Sequence, residues 1–482
     1  MKVKNTTIQL IACISLLAVC ASCSHRRNKD LVLNSEADLS GLTLSTAVGN
    51  YYEHKFSKRS DVKVFAAATQ ADALQAIRQG LADVFVADDI EVPERTLKSL
   101  GLKVAFYGED LFEVAYCVKK GNTELAGQFN TFLASIPIKD VIEHWTKDGP
   151  EVPDSYAGHS ENPQPLRCAV VSSLDPVCYV GEGGKWMGVT PDLLTRFANY
   201  LGRPIEIMLQ DLGGALTAVQ AGQVDMVGGN IFITEERKTF MDFTDPYYLC
   251  HPVFVVADHG KRAHIGLGER FRMNLIKENR WKLITNGLLE TIKITVLAIL
   301  IGTVLGIGVC AALRSRRRWI SSAAGLYGSF IQGTPTLVLL LIMFYVVFAS
   351  SGMSASQVAV ITFALSFASS AGNIFNSSIS TVPVGQTEAG LSLGFTPYKT
   401  FTGIVLPQAL RRGLPLYAGE CVKLLQSTSI VGYIAIQDLT RASDLIRSRT
   451  FDALIPLLII TIIYFVLAWL IRKLLNLLLI RK

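Results

Sequence analysis

Charge is scarce in this chain. Asp, Glu, Lys and Arg make up 18% of its 482 residues, where a soluble protein carries about 25%, and half of the chain is hydrophobic. A single soluble domain is excluded. The length suggests about three units of about 150 residues, and nearly all of the apolar excess lies after residue 283, so a soluble part precedes a membrane part. A phosphate-cradling G-x4-G-K-[S/T] loop is missing, since Gly184-Lys185 lacks both the earlier Gly and the Ser or Thr. The net charge of +6 comes from basic residues beside apolar runs rather than in one patch laced with aromatics, which excludes nucleic acid as a partner. Metal-site spacing is missing as well among the four of the nine cysteines that fall in the soluble part. Cys13, Cys20 and Cys23 fall in the first segment and Cys310 and Cys421 in apolar spans. Cys117, Cys168, Cys178 and Cys250 lie in the soluble part, where one or two disulfides and buried free thiols are both open. No metal, cofactor or catalytic residue is expected.

What is present begins with an export signal. Lys2 and Lys4 precede an apolar run from Ile8 to Val19, shorter than the roughly 20 residues of a membrane span but suited to a secretory signal. Residues 1–23 are read as that signal. Cys20-Ala21-Ser22-Cys23 resembles a bacterial lipobox, with Cys20 where a Leu is usual, so Cys23 is a lipidation candidate. Plain cleavage and an uncleaved anchor are the alternatives.

The soluble part repeats itself. Residues 73–83 read ALQAIRQGLAD and residues 215–225 read ALTAVQAGQVD, both following A-L-x-A-[I/V]-x-x-G-x-x-D. An alternating strand precedes each copy and a short apolar strand follows it. Each copy is therefore read as a helix ending where Gly80 or Gly222 takes a positive φ, before the chain turns into a parallel strand. Residues 150–165, PEVPDSYAGHSENPQP, mark a linker. It separates one lobe at 34–149 from a second at 166–258, and a cleft between two α/β lobes is a usual ligand site.

Residues 166–202, followed by VDMVGGNIFITEERKTFMDFTDPYY at 224–248, resemble the first lobe of bacterial extracellular solute-binding proteins for polar amino acids. Residues 41–56, 71–102 and 114–133 resemble the second lobe of the same family, which here comes first. The expectation is a circular permutation cut at one hinge strand, a change tolerated at exposed joins. The resemblance implies that Arg237 pairs with a ligand carboxylate, a task suited to its planar fork. It likewise implies that Asp88 accepts from the ligand ammonium and that Asn50 stands at an anion-binding helix start. Phe232 stands where the family has a hydroxyl residue, and Val177 where an aromatic stacks on the ligand, so the solute is expected to be an amino acid or a bulkier, less polar relative.

After a connector at 259–282, residues 283–482 read as a membrane domain of about five helices: Ile294 to Leu313, Leu326 to Phe348, Val358 to Phe375, Leu414 to Ile436 and Leu454 to Ile471. Arg314, Arg316, Arg317 and Arg318, then Lys399, Arg411 and Arg412, then Arg472, Lys473, Arg481 and Lys482 mark cytoplasmic segments. The soluble part then lies outside. Lys261, Arg262, Arg270, Arg272, Lys277, Arg280 and Lys282 argue locally against this, and they are read instead as an amphipathic segment on the membrane surface. Glu388-Ala389-Gly390, Gly394, Ile404, Leu406 and Pro407 resemble the E-A-A-x3-G-x9-I-x-L-P loop of ABC importer permeases, with Gly390 replacing the second Ala. FIQGTPTLV at 330–338 resembles that family's FRGTPLLV. In the family the loop inserts as a helical hairpin into an ATPase subunit. Glu420 and Lys423 lie three apart on one helical face, either as an intramembrane gate or at the cytoplasmic end of a span.

The fold expected is a two-lobed α/β domain like periplasmic binding proteins, followed by an all-α permease. The resemblance implies a substrate-binding and permease subunit of an ABC importer in the bacterial inner membrane. Its expected partners are a separate ATPase chain and a second copy of the permease, making a homodimer, with no nucleic acid. A ligand-gated or ligand-sensing receptor is the alternative, although there the spans interrupt the lobes and a TVGYG-type pore loop appears.

Overall fold

The computed structural model describes residues 31–148, 164–171, 175–181, 185–258, 266–349 and 351–480. The signal with Cys23 and most of the 150–165 linker lie outside the described residues. The strands are β1 (Thr43–Ala47), β2 (Lys63–Ala67), β3 (Val84–Asp88), β4 (Leu102–Tyr107), β5 (Phe112–Lys119), β6 (Leu166–Val170), β7 (Tyr179–Val180), β8 (Trp186–Met187), β9 (Ile205–Leu209), β10 (Met226–Phe232), β11 (Met241–Phe243), β12 (Tyr248–Cys250) and β13 (Pro252–Ala257). Helices α1 (Tyr51–Ser57), α2 (Gln70–Gln79), α3 (Thr123–Ser135), α4 (Val189–Tyr200) and α5 (Leu212–Gln220) pack on them.

The two sheets have one plan. Their orders are β2-β1-β3-β13-β4 and β9-β6-β10-β5-β11, with β12 added to β5. In each sheet the first three strands are parallel and the last two run antiparallel to their neighbours. The sequence echo falls at equivalent places. Gly80 and Gly222 both have φ of 72° after their helices, and the Asp closing each copy fastens the first strand of its lobe. Asp83 accepts from the Thr43 N–H and Asp225 from the Arg167 N–H, both at 2.9 Å.

The lobes do not divide at the 150–165 linker, which corrects the boundaries 34–149 and 166–258. β5, from the first segment, is a central strand of the second sheet, and β13, from the second segment, is a central strand of the first. β13 is buried but for its last residue and β5 through its middle five, as strands covered on two faces must be. Composition marks them as buried strands without saying in which sheet. The chain thus crosses between lobes twice, at 108–111 and at His251, and the crossings touch: the Gly108 N–H donates to the Pro252 carbonyl at 2.7 Å.

The membrane part comprises α6 (Trp281–Leu313), α7 (Arg318–Gly333), α8 (Thr336–Ile342), α9 (Ala355–Ser380), α10 (Val384–Ser392), α11 (Leu406–Ser427), α12 (Leu439–Thr450) and α13 (Leu454–Ile480). Among the described residues α6, α9 and α13 are each long and apolar enough to cross a membrane, and α7 with the chain from α8 to Val347 pass the same measure only as a pair, bent by 104° between Gly333 and Thr336. Pro335 causes that break: it donates no N–H and holds Thr334 extended, at φ −100° and ψ 128°. The fifth expected span, Leu414 to Ile436, is helical only to Ser427. It tightens into a 3-10 turn over Thr428–Ile434 that ends at Ala435 with φ of 62°. α6 and α9 approach closely through small residues, since a Cβ on Gly302 would lie 2.8 Å from the Ala364 carbonyl oxygen and one on Gly306 2.9 Å from the Ala371 Cβ.

Candidate functional site

A cavity of about 390 Å³ opens where the lobes face each other. Asp88, at the end of β3, is one of its buried polar groups. The carboxylate is 4% exposed, and it accepts from the Tyr52 hydroxyl at 2.5 Å and from the Asn230 amide, across the cleft, at 3.2 Å. Burial, then the nearby Glu91 charge, raises its pKa well above the usual carboxylate range. Glu91 is equally buried and accepts from Gln70 at 2.9 Å.

Arg237 enters from the other lobe, on a short helix capped by Thr234. Its Nη1 donates to the Phe232 carbonyl at 3.1 Å, and among the described residues it makes no ion pair. Burial lowers its pKa. A desolvated guanidinium with most of its fork undirected is suited to receive a carboxylate.

Asn50, Asp88, Phe232 and Arg237 all border this cavity. Asn50 caps α1, accepting from the Glu53 N–H at 2.8 Å, and its amide donates to Thr46 at 2.6 Å. Phe232 stacks on Phe112 at 4.6 Å, with Tyr51 and Tyr52 at 6.0 and 6.1 Å, so an aromatic wall replaces the family's hydroxyl. Val177 corrects the expectation placed on it. It is fully buried in the core, outside the cavity lining, where its carbonyl accepts from the Thr190 N–H at 3.0 Å.

Sequence reasoning missed Tyr52, Glu91 and Asn230. Only Asn230 left a signal, the Gly-Gly-Asn interruption of an apolar strand. Gly229 and Asn230 have φ of 103° and 55°, at a bulge that shifts the β10 register against β5.

The floor of the cavity comes from the membrane part. Ser429, Gly432 and Tyr433, then Thr440, Arg441, Asp444 and Arg447 of α12, border it together with both lobes. Arg447 pairs with Asp72 at 3.2 Å, Arg449 with Asp175 at 2.6 Å, and Arg270 with Asp452 at 2.5 Å. Arg270 and Arg280, two of the basic residues whose position argues locally against the expected orientation, are thus held in ion pairs, Arg280 with Glu278 at 2.8 Å.

A second cavity, about 420 Å³, lies among α7, α8, α9 and α11 beside the Pro335 break. Glu420 and Lys423 border it, 3.6 Å apart. At the opposite end of α6 from the lobes, α10 carries Glu388, Ala389 and Gly390 and folds back at Gly394, φ 81°, toward Ile404, Leu406 and Pro407. Glu388 is exposed and so are Leu393 and Tyr398, each at 77%. The Gly in place of the family's Ala has a cause: a Cβ on Gly390 would lie 2.6 Å from the Thr400 Cγ2.

Two hinged lobes seated over membrane helices, with a broken span and an exposed hairpin at the far end, define a solute-binding domain joined to a permease. The chain belongs to the bacterial extracellular solute-binding proteins, family 3, which match residues 166–413, and its membrane part is an ABC transporter permease. It is similar to the L-cystine transport system permease protein TcyB of Bacillus subtilis (strain 168), 32% identical over 40% of this chain and 83% of that protein. It is also similar to the putative glutamine transport system permease protein GlnP of Rickettsia typhi (strain ATCC VR-144 / Wilmington), 28% identical over 39% and 87%. A crystal structure of an amino acid ABC transporter with histidines matches at 32% identity and a TM-score of 0.40, covering 46% of this chain and 100% of that one. The chain is accordingly a substrate-binding and permease subunit of an ABC importer, not an enzyme.

Proposed function

We propose that the imported solute is an amino acid, its α-carboxylate held by Arg237 and its ammonium by Asp88, with Glu91 beside it. One observation carries this reading: a single cavity places a half-buried guanidinium that makes no ion pair among the described residues on one lobe opposite two buried carboxylates on the other. Each Asp88 oxygen keeps a second lone pair for the ligand. Asn50 contributes through its amide and Phe232 as an apolar wall. The names of the permease relatives, for cystine and glutamine, agree with this class. A purified full-length chain titrated with the twenty amino acids and cystine should bind one group of them, and Arg237→Ala should weaken that binding at least about thirtyfold. Undiminished affinity in this variant sinks the assignment.

The remaining roles follow from the same arrangement. The lobes lie outside the cytoplasm and the hairpin inside, an orientation supported by Arg314, Arg316, Arg317, Arg318, Lys399, Arg411, Arg412, Arg472 and Lys473 in segments away from the lobes. A separate ATPase grips Glu388, Ala389, Gly390, Gly394, Ile404, Leu406 and Pro407, whose neighbourhood exposes Leu393, Phe395 and Tyr398. Two copies of the chain enclose one pore, and Glu420 with Lys423 line its path. The family match begins at residue 166, the start of β6, which supports a reordered binding domain. A receptor reading leaves the exposed hairpin without a task.

A further inference from the structure

Helix α12 carries three arginines toward the binding lobes, and they are used differently. Arg447 is paired with Asp72 and Asp444, at 3.2 and 3.1 Å. Arg449 is paired with Asp175 and Glu278, at 2.6 and 3.5 Å, and lies 4.2 Å from the centre of the Tyr179 ring. Arg441 is not spent in this way. Its guanidinium makes one hydrogen bond, from Nη2 to the Leu209 carbonyl at 3.2 Å, and no ion pair among the described residues. It borders the same cavity as Arg237, and the two share one local chemistry: each is anchored by a single backbone carbonyl, with the rest of its fork undirected.

We infer that Arg441 is a translocation residue, which takes the carboxylate of the departing amino acid from Arg237 and hands the solute to the permease. This rests on the amino-acid reading above and adds to it a second carboxylate station, on the permease side of the cavity. Burial lowers the Arg441 pKa without discharging it, so it presents a half-buried cation to the cavity. The charges facing it temper its hold. Asp438, the cap of α12, Asp444 on it and Asp211, the cap of α5, all act on it electrostatically without forming an ion pair, and Arg447 opposes them. The floor beside Arg441 is Ser429, Gly432 and Tyr433. Ser427, two residues before Ser429, borders the second cavity, so the station stands at the partition between the two chambers.

The test uses the full chain with its ATPase in proteoliposomes and compares L-glutamine, or whichever amino acid the wild type binds best, with its α-amide, which lacks the carboxylate. Arg441→Gln should lower the maximal uptake rate about ten- to a hundredfold, the effect of one charge-assisted contact, and should change the dissociation constant much less. Arg441→Lys should restore part of the rate. The slow uptake of the α-amide should be equal in wild type and variant. If Arg441 merely braces Leu209, both compounds slow alike, and that result overturns the inference, as does an unaltered rate or a loss confined to affinity. A lowered melting temperature in Arg441→Gln that Arg441→Lys corrects without recovering uptake also counts against it. Uptake of none of the amino acids by the wild type overturns the amino-acid reading itself.

Discussion

Asp88 lies between Tyr52, Asn230, Glu91 and Asp89, and its burial gives it a proton affinity well above that of an ordinary carboxyl. Because the folded form binds that proton more tightly than the unfolded chain, this group stabilises the empty domain most in acid. The contribution is lost as pH rises from the ordinary carboxylate range through the raised native value. A bound ammonium favours the carboxylate, so ligand binding expels the proton and affinity increases with pH. Calorimetric titrations between about pH 5 and about pH 8 should show apparent enthalpies that vary with the ionisation heat of the buffer. That variation should vanish in Asp88→Asn, and buffer-independent heats in the wild type contradict the assignment. The cysteines tell a related story: Cys117, Cys168, Cys178 and Cys250 are free and fully buried, their thiols pushed up in pKa by desolvation. Of the two states their spacing leaves open, the structure has thiols packed as small apolar groups.

Among the elements, the hairpin of α10 and the chain leading into α11 shows how a motif departure is absorbed. Gly390 packs where a methyl group would meet Thr400, and the Thr400 hydroxyl is itself buried without a hydrogen-bond partner. Gly390→Ala, which restores the family's residue, should therefore destabilise the hairpin by about 1–3 kcal/mol through overpacking. Gly390→Ala with Thr400→Ala should recover it. Co-purification of the ATPase and ligand-stimulated ATP hydrolysis measure the outcome, and equal activity in the single and double variants would count against this packing argument. α12 is a second element whose sequence says little of its role. Asp438 caps it, accepting from the Arg441 and Thr440 N–H groups at 2.9 and 3.0 Å, and so fixes the direction in which its arginines leave the membrane part.

Across the whole molecule, α12 bridges both lobes: Arg447 reaches Asp72 at the first turn of α2, while Arg441 and Arg449 reach Leu209 and Asp175 on the other lobe. A ligand that draws the lobes together must rearrange at least one of these contacts, which links closure to the permease by contacts that differ between two states. Asp72→Arg should uncouple ligand binding from ATP hydrolysis in the reconstituted complex, lowering the stimulation several-fold. Asp72→Arg with Arg447→Asp should restore it, since the reversed pair can form again. A double variant as defective as the single one shows that the pair carries no coupling.

The two α/β lobes, the membrane part after them and the exposed hairpin that starts at α10 are legible in the sequence because their signals are local. Apolar periodicity, the repeated turn at Gly80 and Gly222, and the spacing from Glu388 to Pro407 depend on neighbours within a few turns. Arg237 and Asp88 are legible through motif resemblance, whereas Tyr52, Glu91 and Asn230 are ordinary residues until the cleft gathers them. Only the tertiary structure decided that β5 and β13 exchange sheets, because a buried strand satisfies its hydrogen bonds equally well in either. Only it brought α12 under a cleft formed more than 200 residues earlier in the chain, since ion pairs and packing between distant segments leave no period in the sequence that could announce them.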